Sequence, residues 1–265
     1  MMKKFIQQAH TIKSSHLGIA LAISVLVVGC KLILQYFEIE LFEVNPLLSA
    51  IISGNIFILG FLLNSTLKDY KEAEKIPGEM AVALETIFDE CEIMLLNKKG
   101  PIVLEAIKHT LKTELLLRSW FYKKAYTQRV LGHISDFNLY MHAFEDLTQA
   151  NFIVRMKNEQ NNLRRQLIKA NVLRDTPFYE ASYKIAKLSV FFLLVLLVLL
   201  KADPFYEYTL FILVIVFITI FLVSLIKDLD DPFEYSDSNI SDEVSLKPLT
   251  DFASRAKSRL RQLSM

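Results

Sequence analysis

The chain has 265 residues, 52% of them hydrophobic and 22% charged, with a mean hydropathy of +0.32 and only 7 glycines and 7 prolines. That composition excludes a disordered chain, a collagen-like repeat and an ordinary soluble enzyme of this size. Lysine plus arginine number 30 against 29 aspartates plus glutamates, so a formal charge of +1 gives no general attraction to nucleic acid.

A bilayer core about 30 Å thick needs about 20 mostly apolar helical residues, and four runs qualify as spans. Residues 17–37 carry only Lys31 as a charge, residues 46–66 carry none, and residues 185–200 and 209–226 are the densest. Ahead of the first run, Ser14, Ser15 and His16 read as a helix-capping segment rather than a nucleophile and base. Within it, Val27-Val28-Gly29-Cys30 resembles the end of a lipoprotein signal, but the apolar run continues as Leu32-Ile33-Leu34, which favours a plain span. The segment Lys201-Ala-Asp-Pro-Phe-Tyr-Glu-Tyr208 is long enough only for a hairpin, so the last two spans cross in opposite directions.

Four spans put both termini and residues 67–184 on one side. Lysine plus arginine number 3 before the first span, 19 over residues 67–187 and 6 after the fourth. The other side holds Lys201 and the acids Glu38, Glu40, Glu43, Asp203 and Glu207, with Lys31 expected to snorkel toward that boundary. The excess of positive charge assigns the termini and the 118-residue connection to the cytoplasm.

Beyond Thr66 the second span continues as helix to a break at Pro77-Gly78. From Glu79, the residues Leu84, Ile87, Phe88, Cys91 and Leu95 recur at steps of three and four, the spacing of one helix face. Gly100 caps that region and Pro101 opens the next helix. Its face begins with Ile107, Leu111 and Leu115 and continues, with interruptions near Gly132, to about Phe152. A last polar helix covers residues 154–173. No strand alternation, internal repeat or glycine-rich phosphate loop is present. Cys30 and Cys91 form no CxxC or cysteine–histidine zinc spacing, so neither a disulfide framework nor a structural zinc is expected. His109, His133 and His142 are scattered and read as core or surface histidines. Arg164 and Arg165, with Lys157 and Lys169, read as a solvated helix face rather than an anion or lipid-headgroup site.

The sharpest motif is Leu59-Gly-Phe-Leu-Leu-Asn-Ser-Thr-Leu-Lys-Asp-Tyr-Lys-Glu-Ala-Glu-Lys-Ile-Pro-Gly78. It resembles the second transmembrane helix of the bestrophin channels, whose bacterial members carry a Phe, an Asn-rich turn, and an Arg-Trp-Trp-Glu-Ala signature followed by Lys and Gly. Phe61, Asn64, Glu72, Ala73, Lys75 and Gly78 match, while Asp69-Tyr70-Lys71 replaces Arg-Trp-Trp. After the fourth span, Leu229-Asp-Asp-Pro-Phe233 and Asp242-Glu-Val-Ser-Leu-Lys-Pro-Leu249 are similar to the family's acid-acid-Pro-Phe segment and its downstream stretch. The motifs cover about fifty residues, and the substituted signature indicates a divergent bestrophin-like chain.

The expected fold is therefore an all-α membrane protein with four transmembrane helices and a helical cytoplasmic domain inserted between spans two and three. Its parts are residues 1–66, the cytoplasmic domain 67–184, the transmembrane hairpin 185–226 and a cytoplasmic tail 227–265. The resemblance implies a homopentameric ion channel in a bacterial inner membrane, its pore lined by five copies of the second span. Steps of three or four from Phe61 place Ala50, Ser53 or Gly54, Phe57, Asn64 and Lys68 on one stripe. Phe57 and Phe61 there would form an apolar neck that closes by dewetting; alternatively they pack on neighbouring spans. The phenyl edges suit an anion, whereas the net charge of −3 to −4 on the outer segments suits cations. Chloride is the first expectation and a cation-selective channel the alternative.

Asp228, Asp230, Asp231, Glu234 and Asp237 supply oxygen ligands of the kind Ca²⁺ uses, and animal bestrophins bind Ca²⁺ in this neighbourhood. An acidic turn that caps a helix or pairs with basic residues is the competing reading, and no other cofactor is implied. The expected partners are further copies of the chain, the lipid bilayer and permeant ions, with no nucleic acid. A different class of function is a non-conducting scaffold whose cytoplasmic helices bind a partner. Against it stands the uncharged second span with Asn64 and the small cluster Ser49, Ala50, Ser53, Gly54 and Asn55, suited to close packing or a pore. No nucleophile, base and oxyanion arrangement points to an enzyme.

Overall fold

The computed structural model describes residues 14–97, 100–175, 180–201, 203–230, 232–233, 235 and 243–263. The described residues form helices α1 (Ser14–Tyr36), α2 (Pro46–Asn97), α3 (Pro101–Phe121), α4 (Thr127–Ser135), α5 (Phe137–Ala143), α6 (Ala150–Asp175), α7 (Glu180–Val198), α8 (Phe205–Asp230) and α9 (Lys247–Leu263). No β-strand occurs among them; Phe42 and Leu200 make one isolated bridge. Two compact units result, Met1–Tyr70 with Pro177–Pro232, and Lys71–Thr176 with Phe233–Met265.

In the first unit, the helices carrying Leu17–Tyr36, Pro46–Asn97 and Phe205–Asp230 are long and apolar enough to cross a membrane. The stretch of α2 within this unit, 25 residues from Pro46, reaches about 37 Å at 1.5 Å per residue. α7 is shorter, 19 residues, with Lys184 and Lys187 in its first half. α1 packs on α8 and α7, and α7 packs on α8. One apolar cluster joins Val27, Leu48, Leu193, Leu197, Ile212 and Val216; a second joins Leu59 and Leu62 of α2 to Ala186, Val190 and Ile226. Large apolar side chains on the outside, among them Leu26, Phe192 and Leu210, stay exposed. Polar groups inside these helices are met locally: Ser24 Oγ donates to Ala20 O at 2.7 Å, Thr66 Oγ1 to Leu62 O at 3.0 Å, and Thr219 Oγ1 to Ile215 O at 2.7 Å.

Lys31 does not snorkel. Its side chain is 0% exposed, with Nζ 2.5 Å from Glu40 Oε1 and a second hydrogen bond donated to Leu200 O. Leu41 N donates to Leu199 O at 3.0 Å and Lys201 N to Phe42 O at 2.7 Å, so the α1–α2 connection and the α7–α8 turn are stitched together around the ammonium. A long stem toward water is the cheaper course only when no acceptor lies nearby; here a carboxylate and a carbonyl are within reach.

The second unit corrects two expectations. α2 does not break at Pro77-Gly78 but continues to Asn97. Proline removes one helical hydrogen bond and crowds the carbonyl four residues back, Ala73 here. Packing outweighs that cost, since Ala73, Ile76, Met80, Ala83, Leu84, Ile87 and Phe88 are all fully buried. The buried face of α3 keeps Ile107 but not Leu111, which is half-buried, or Leu115, which is exposed. It runs through Val103, Ala106, Ile107, Thr110, Thr113, Glu114, Leu117 and Trp120. Thr110 and Thr113 enter the core because their hydroxyls return to Ala106 O and His109 O, at 2.9 and 2.8 Å. Burial raises the Glu114 carboxyl pKa, against a hydrogen bond from Arg118 that lowers it. Gly100 caps α3 in an extended conformation and Pro101 takes its first turn.

Trp120 anchors this unit. Its Nε1 donates to Thr127 Oγ1 at 2.9 Å, that hydroxyl donates to Asn171 Oδ1 at 2.6 Å, and the Arg174 guanidinium lies 4.0 Å over the ring. The C-terminal α9 docks through Phe252, edge-on to Phe88 at 6.4 Å. Its Arg255 bonds both carboxylate oxygens of Glu85, at 3.0 and 2.6 Å, and Arg259 bridges Asp89 at 2.8 Å and Glu92.

Replacing Lys31 by Met strands Glu40 and is expected to destabilise the detergent-solubilised protein by about 3 kcal/mol. The double variant Lys31→Met with Glu40→Leu should recover most of that loss. Thermal unfolding of the two variants beside wild type checks the assignment.

Candidate functional site

The sequence singled out Ser53, Phe57, Phe61, Asn64 and Lys68, and all five side chains are exposed within the protomer. Phe57 is 75% exposed and Phe61 67%. The reverse face of the same helix is the packed one: Asn55, Leu59, Leu62 and Thr66 are buried, with Leu59 and Leu62 in the cluster formed with α7 and α8. Helical periodicity explains the division, because residues three and four apart share a face. The two phenyl rings therefore have no packing partners in the first unit comparable to those of Leu59, a face presented rather than filled.

The signature that follows is spread over several jobs in the second unit. Glu72 pairs with Lys169 at 2.5 Å and Lys75 at 3.4 Å, and the Lys169 hydrogen bond holds its carboxyl below the ordinary carboxylate range. Ala73 is buried core. Lys157 bonds Asn138 at 2.6 Å and Gln160 at 2.8 Å, and Arg164 bonds Asn161 at 2.9 Å and Ser135 at 3.2 Å. These basic residues thus hold the helices to one another, a role their sequence spacing did not announce.

Of the carboxylates considered for Ca²⁺, Asp228 and Asp230 lie in the last turn of α8, while Asp231, Glu234 and Asp237 fall outside the described residues. Among the described residues, no three His, Cys, Asp or Glu side chains form a group able to hold a metal ion. Phe233 of the neighbouring motif is fully buried, 5.3 Å from the Phe121 ring. Cys91 is buried and its thiol is pushed up to about 12, chiefly by desolvation, which leaves it unreactive.

His109 and His133 are not scattered but in contact, ring centroids 3.9 Å apart and planes tilted by 33°, with Phe137 edge-on to His109 at 4.6 Å. His109 Nε2 lies 2.9 Å from His133 O, so that nitrogen carries the proton and donates. Burial, with His109 and Lys112 nearby, pushes His133 down to about 4 from 6.5, Asp136 opposing; His109 is lowered by burial too. No local spacing marks this pair, because 24 residues separate its members.

No protein-family model and no curated protein sequence matches the chain. Solved structures do. The likeness runs over nearly the whole of both chains rather than one motif. A variant of a bacterial bestrophin homologue from Klebsiella pneumoniae superposes with a TM-score of 0.71 over 92% of this chain and 97% of its own, at 15% identity. Another variant of that homologue gives 0.67 over 94% and 97%, at 16% identity. A structure described only as a membrane protein gives 0.72 over 94% and 97%, at 15% identity. The chain has a bestrophin-like fold, reached by a divergent sequence.

The histidine pair has a measurable consequence. Burial favours the neutral form of both rings in the folded protein, so the unfolded chain takes up protons first as pH falls below 6.5. Stability linked to His133 is therefore full above pH 6.5 and declines toward about 4. The loss should be on the order of 2 kcal/mol over that window. The decline should flatten in His133→Gln when unfolding temperature is followed against pH.

Proposed function

We propose that the chain is a divergent member of the bestrophin family and works as a passive, homo-oligomeric ion channel rather than an enzyme. Four spans cross a bacterial inner membrane with both termini and residues 67–184 in the cytoplasm, and five copies of α2 line the pore. One observation carries this reading: a span-length, uncharged stretch of helix keeps two phenylalanines, Phe57 at 75% and Phe61 at 67% exposure, on its unpacked side while its opposite side is buried. Repeated about a symmetry axis, that stripe makes an apolar neck between Ser53 on one side and Asn64 and Lys68 on the other. The likeness in fold to bacterial bestrophin homologues supports the same reading.

Chloride is the proposed permeant ion, because phenyl edges carry partial positive charge and Lys68 stands at one end of the stripe. A cation-selective channel is supported by a different observation. Lys31 is neutralised by Glu40, and Lys201 lies 3.6 Å from Glu43. Glu38, Asp203 and Glu207 then remain as the surplus charge of the outer segments, and repetition around the ring concentrates cations there.

Flux into liposomes containing the purified protein decides between them. Chloride-driven flux supports the anion reading, and flux driven only by sodium or potassium gives the acidic rim the deciding role. Absence of both, in an intact oligomer, favours a scaffold whose cytoplasmic helices bind a partner. Phe57→Ala with Phe61→Ala should raise flux several-fold; unchanged flux with assembly intact removes these rings from the gate. Ca²⁺ regulation through Asp228, Asp230, Asp231 and Glu234 is tested separately. Asp230→Asn with Asp231→Asn should abolish any thermal stabilisation by Ca²⁺, and a wild type that shows none ends the idea.

A further inference from the structure

The loop between α3 and α4 presents tyrosines and cations on a fixed frame. α3 is closed by two backbone bonds, Lys123 N to Trp120 O at 2.9 Å and Lys124 N to Ser119 O at 2.8 Å, with Lys123 in the left-handed conformation at φ 57°. Around that cap Tyr122 is 47% exposed and Tyr126 85%, and Lys123, Lys124 and Arg129 are exposed as well. Residues 119–135 hold those three cations and no carboxylate. Among the described residues, neither Lys124 nor Arg129 pairs with an acid, and Lys124 Nζ lies 5.8 Å from the Tyr122 ring centroid.

Two supports hold the loop, and each is a near neighbour in sequence of a helix of the first unit. Phe121 packs on Phe233 at 5.3 Å and Tyr122 on Tyr235 at 5.1 Å, and Phe233 follows Asp230, the last residue of α8, by three positions. Thr127 bonds Asn171 at 2.6 Å and Arg174 lies over Trp120, and Arg174 precedes Glu180, the first residue of α7, by six. A chain extends at most about 3.5 Å per residue, so covalent connection alone keeps the two supports within about 11 and 21 Å of those helix ends. Asp228 and Asp230, at the end of α8, are engaged by other groups of the chain. A tyrosine ring with its hydroxyl suits the headgroup level of a bilayer, and an anionic leaflet attracts lysine and arginine held close to it. A soluble anion would use the cations and leave both rings in water.

We propose that the loop 122–126, together with Arg129, docks on the headgroups of an anionic phospholipid leaflet. This rests on the reading of α7 and α8 as membrane spans and does not depend on ion conduction.

Tyr126→Trp in the full-length protein, held in lipid nanodiscs, tests the proposal. The substitution is at an exposed position, and wild type supplies the background because its one tryptophan, Trp120, is fully buried. The lipids are phosphatidylglycerol or phosphatidylcholine brominated near the headgroup end of their acyl chains, and acrylamide is the aqueous quencher. The introduced indole should be quenched by the brominated lipid, shielded from acrylamide, and quenched about twofold or more strongly in phosphatidylglycerol than in phosphatidylcholine. Adding Lys124→Gln with Arg129→Gln should abolish that preference. Phe192→Trp and Leu210→Trp, on exposed faces of α7 and α8, report whether those helices lie in the bilayer. Quenching of these two by brominated lipid, with the indole at position 126 open to acrylamide, overturns the proposal and leaves the spans standing. An indole at position 126 reached by neither quencher is covered by another copy of the chain and overturns it as well. Equal quenching in the two lipids removes the anionic headgroup and has the same result. If the indoles on α7 and α8 are also untouched by lipid, the reading of the spans fails and takes the proposal with it.

Discussion

A fully buried ammonium sets the terms for the first unit. Removing a charge from water costs several kcal/mol unless a counter-charge and hydrogen bonds replace the lost hydration, and Lys31 receives both, from Glu40 and from Leu200 O. Meeting that demand brings the α1–α2 connection and the α7–α8 turn together, and the backbone bonds of Leu41, Phe42 and Lys201 close the junction. With that end fastened, the apolar clusters around Leu193 and Val190 decide which side of α2 is inward. The phenylalanine stripe is the side left over.

The second unit solves a different problem. It must hold polar, amphipathic helices together in the presence of many charges, and it does so with long planar cations. Arg174 lies over Trp120, Arg155 over Phe152 and Arg259 over Phe88, each also bonding or pairing with a carbonyl or carboxylate. Guanidinium suits this use because its faces stack on rings while its edge donates hydrogen bonds. The carboxylates Glu85, Glu90 and Glu92 on one helix thus position two others, α9 and α6.

Much of this was open to reading from the sequence where a single physical property dominates. Apolar length located α1, α8 and the start of α2, proline at the first helical position located the start of α3, and the step of three or four placed Ser53, Phe57, Phe61, Asn64 and Lys68 on one face. The misreadings share a cause, which is that tertiary surroundings reversed a local preference. Pro77 is a helix breaker by itself and is overruled by the buried neighbours Ala73 and Met80. Thr110 and Thr113 count as polar until their hydroxyls are turned back on the helix. Lys31 was expected near water because its second acceptor lies 169 residues along the chain. His109 and His133 were separate in the sequence, and only the packing of α3 against α4 brings their rings together. That Phe57 and Phe61 stay exposed within the protomer follows from the packing of the opposite face of α2, which no local pattern encodes.

The hydroxyl bonds of Ser24, Thr66 and Thr219 bear on the order in which such a chain is made. Each is internal to one helix, spanning four residues, so it exists as soon as that helix does and asks nothing of a neighbour. Helices of this kind can enter an apolar solvent one at a time and associate afterwards. Lys31 follows a two-step schedule instead. Glu40 is nine residues away and arrives with the first hairpin, whereas the Leu200 carbonyl arrives only when most of the chain has been synthesised. During biosynthesis the early pair keeps the ammonium tolerable, and the late carbonyl turns a provisional arrangement into a closed one.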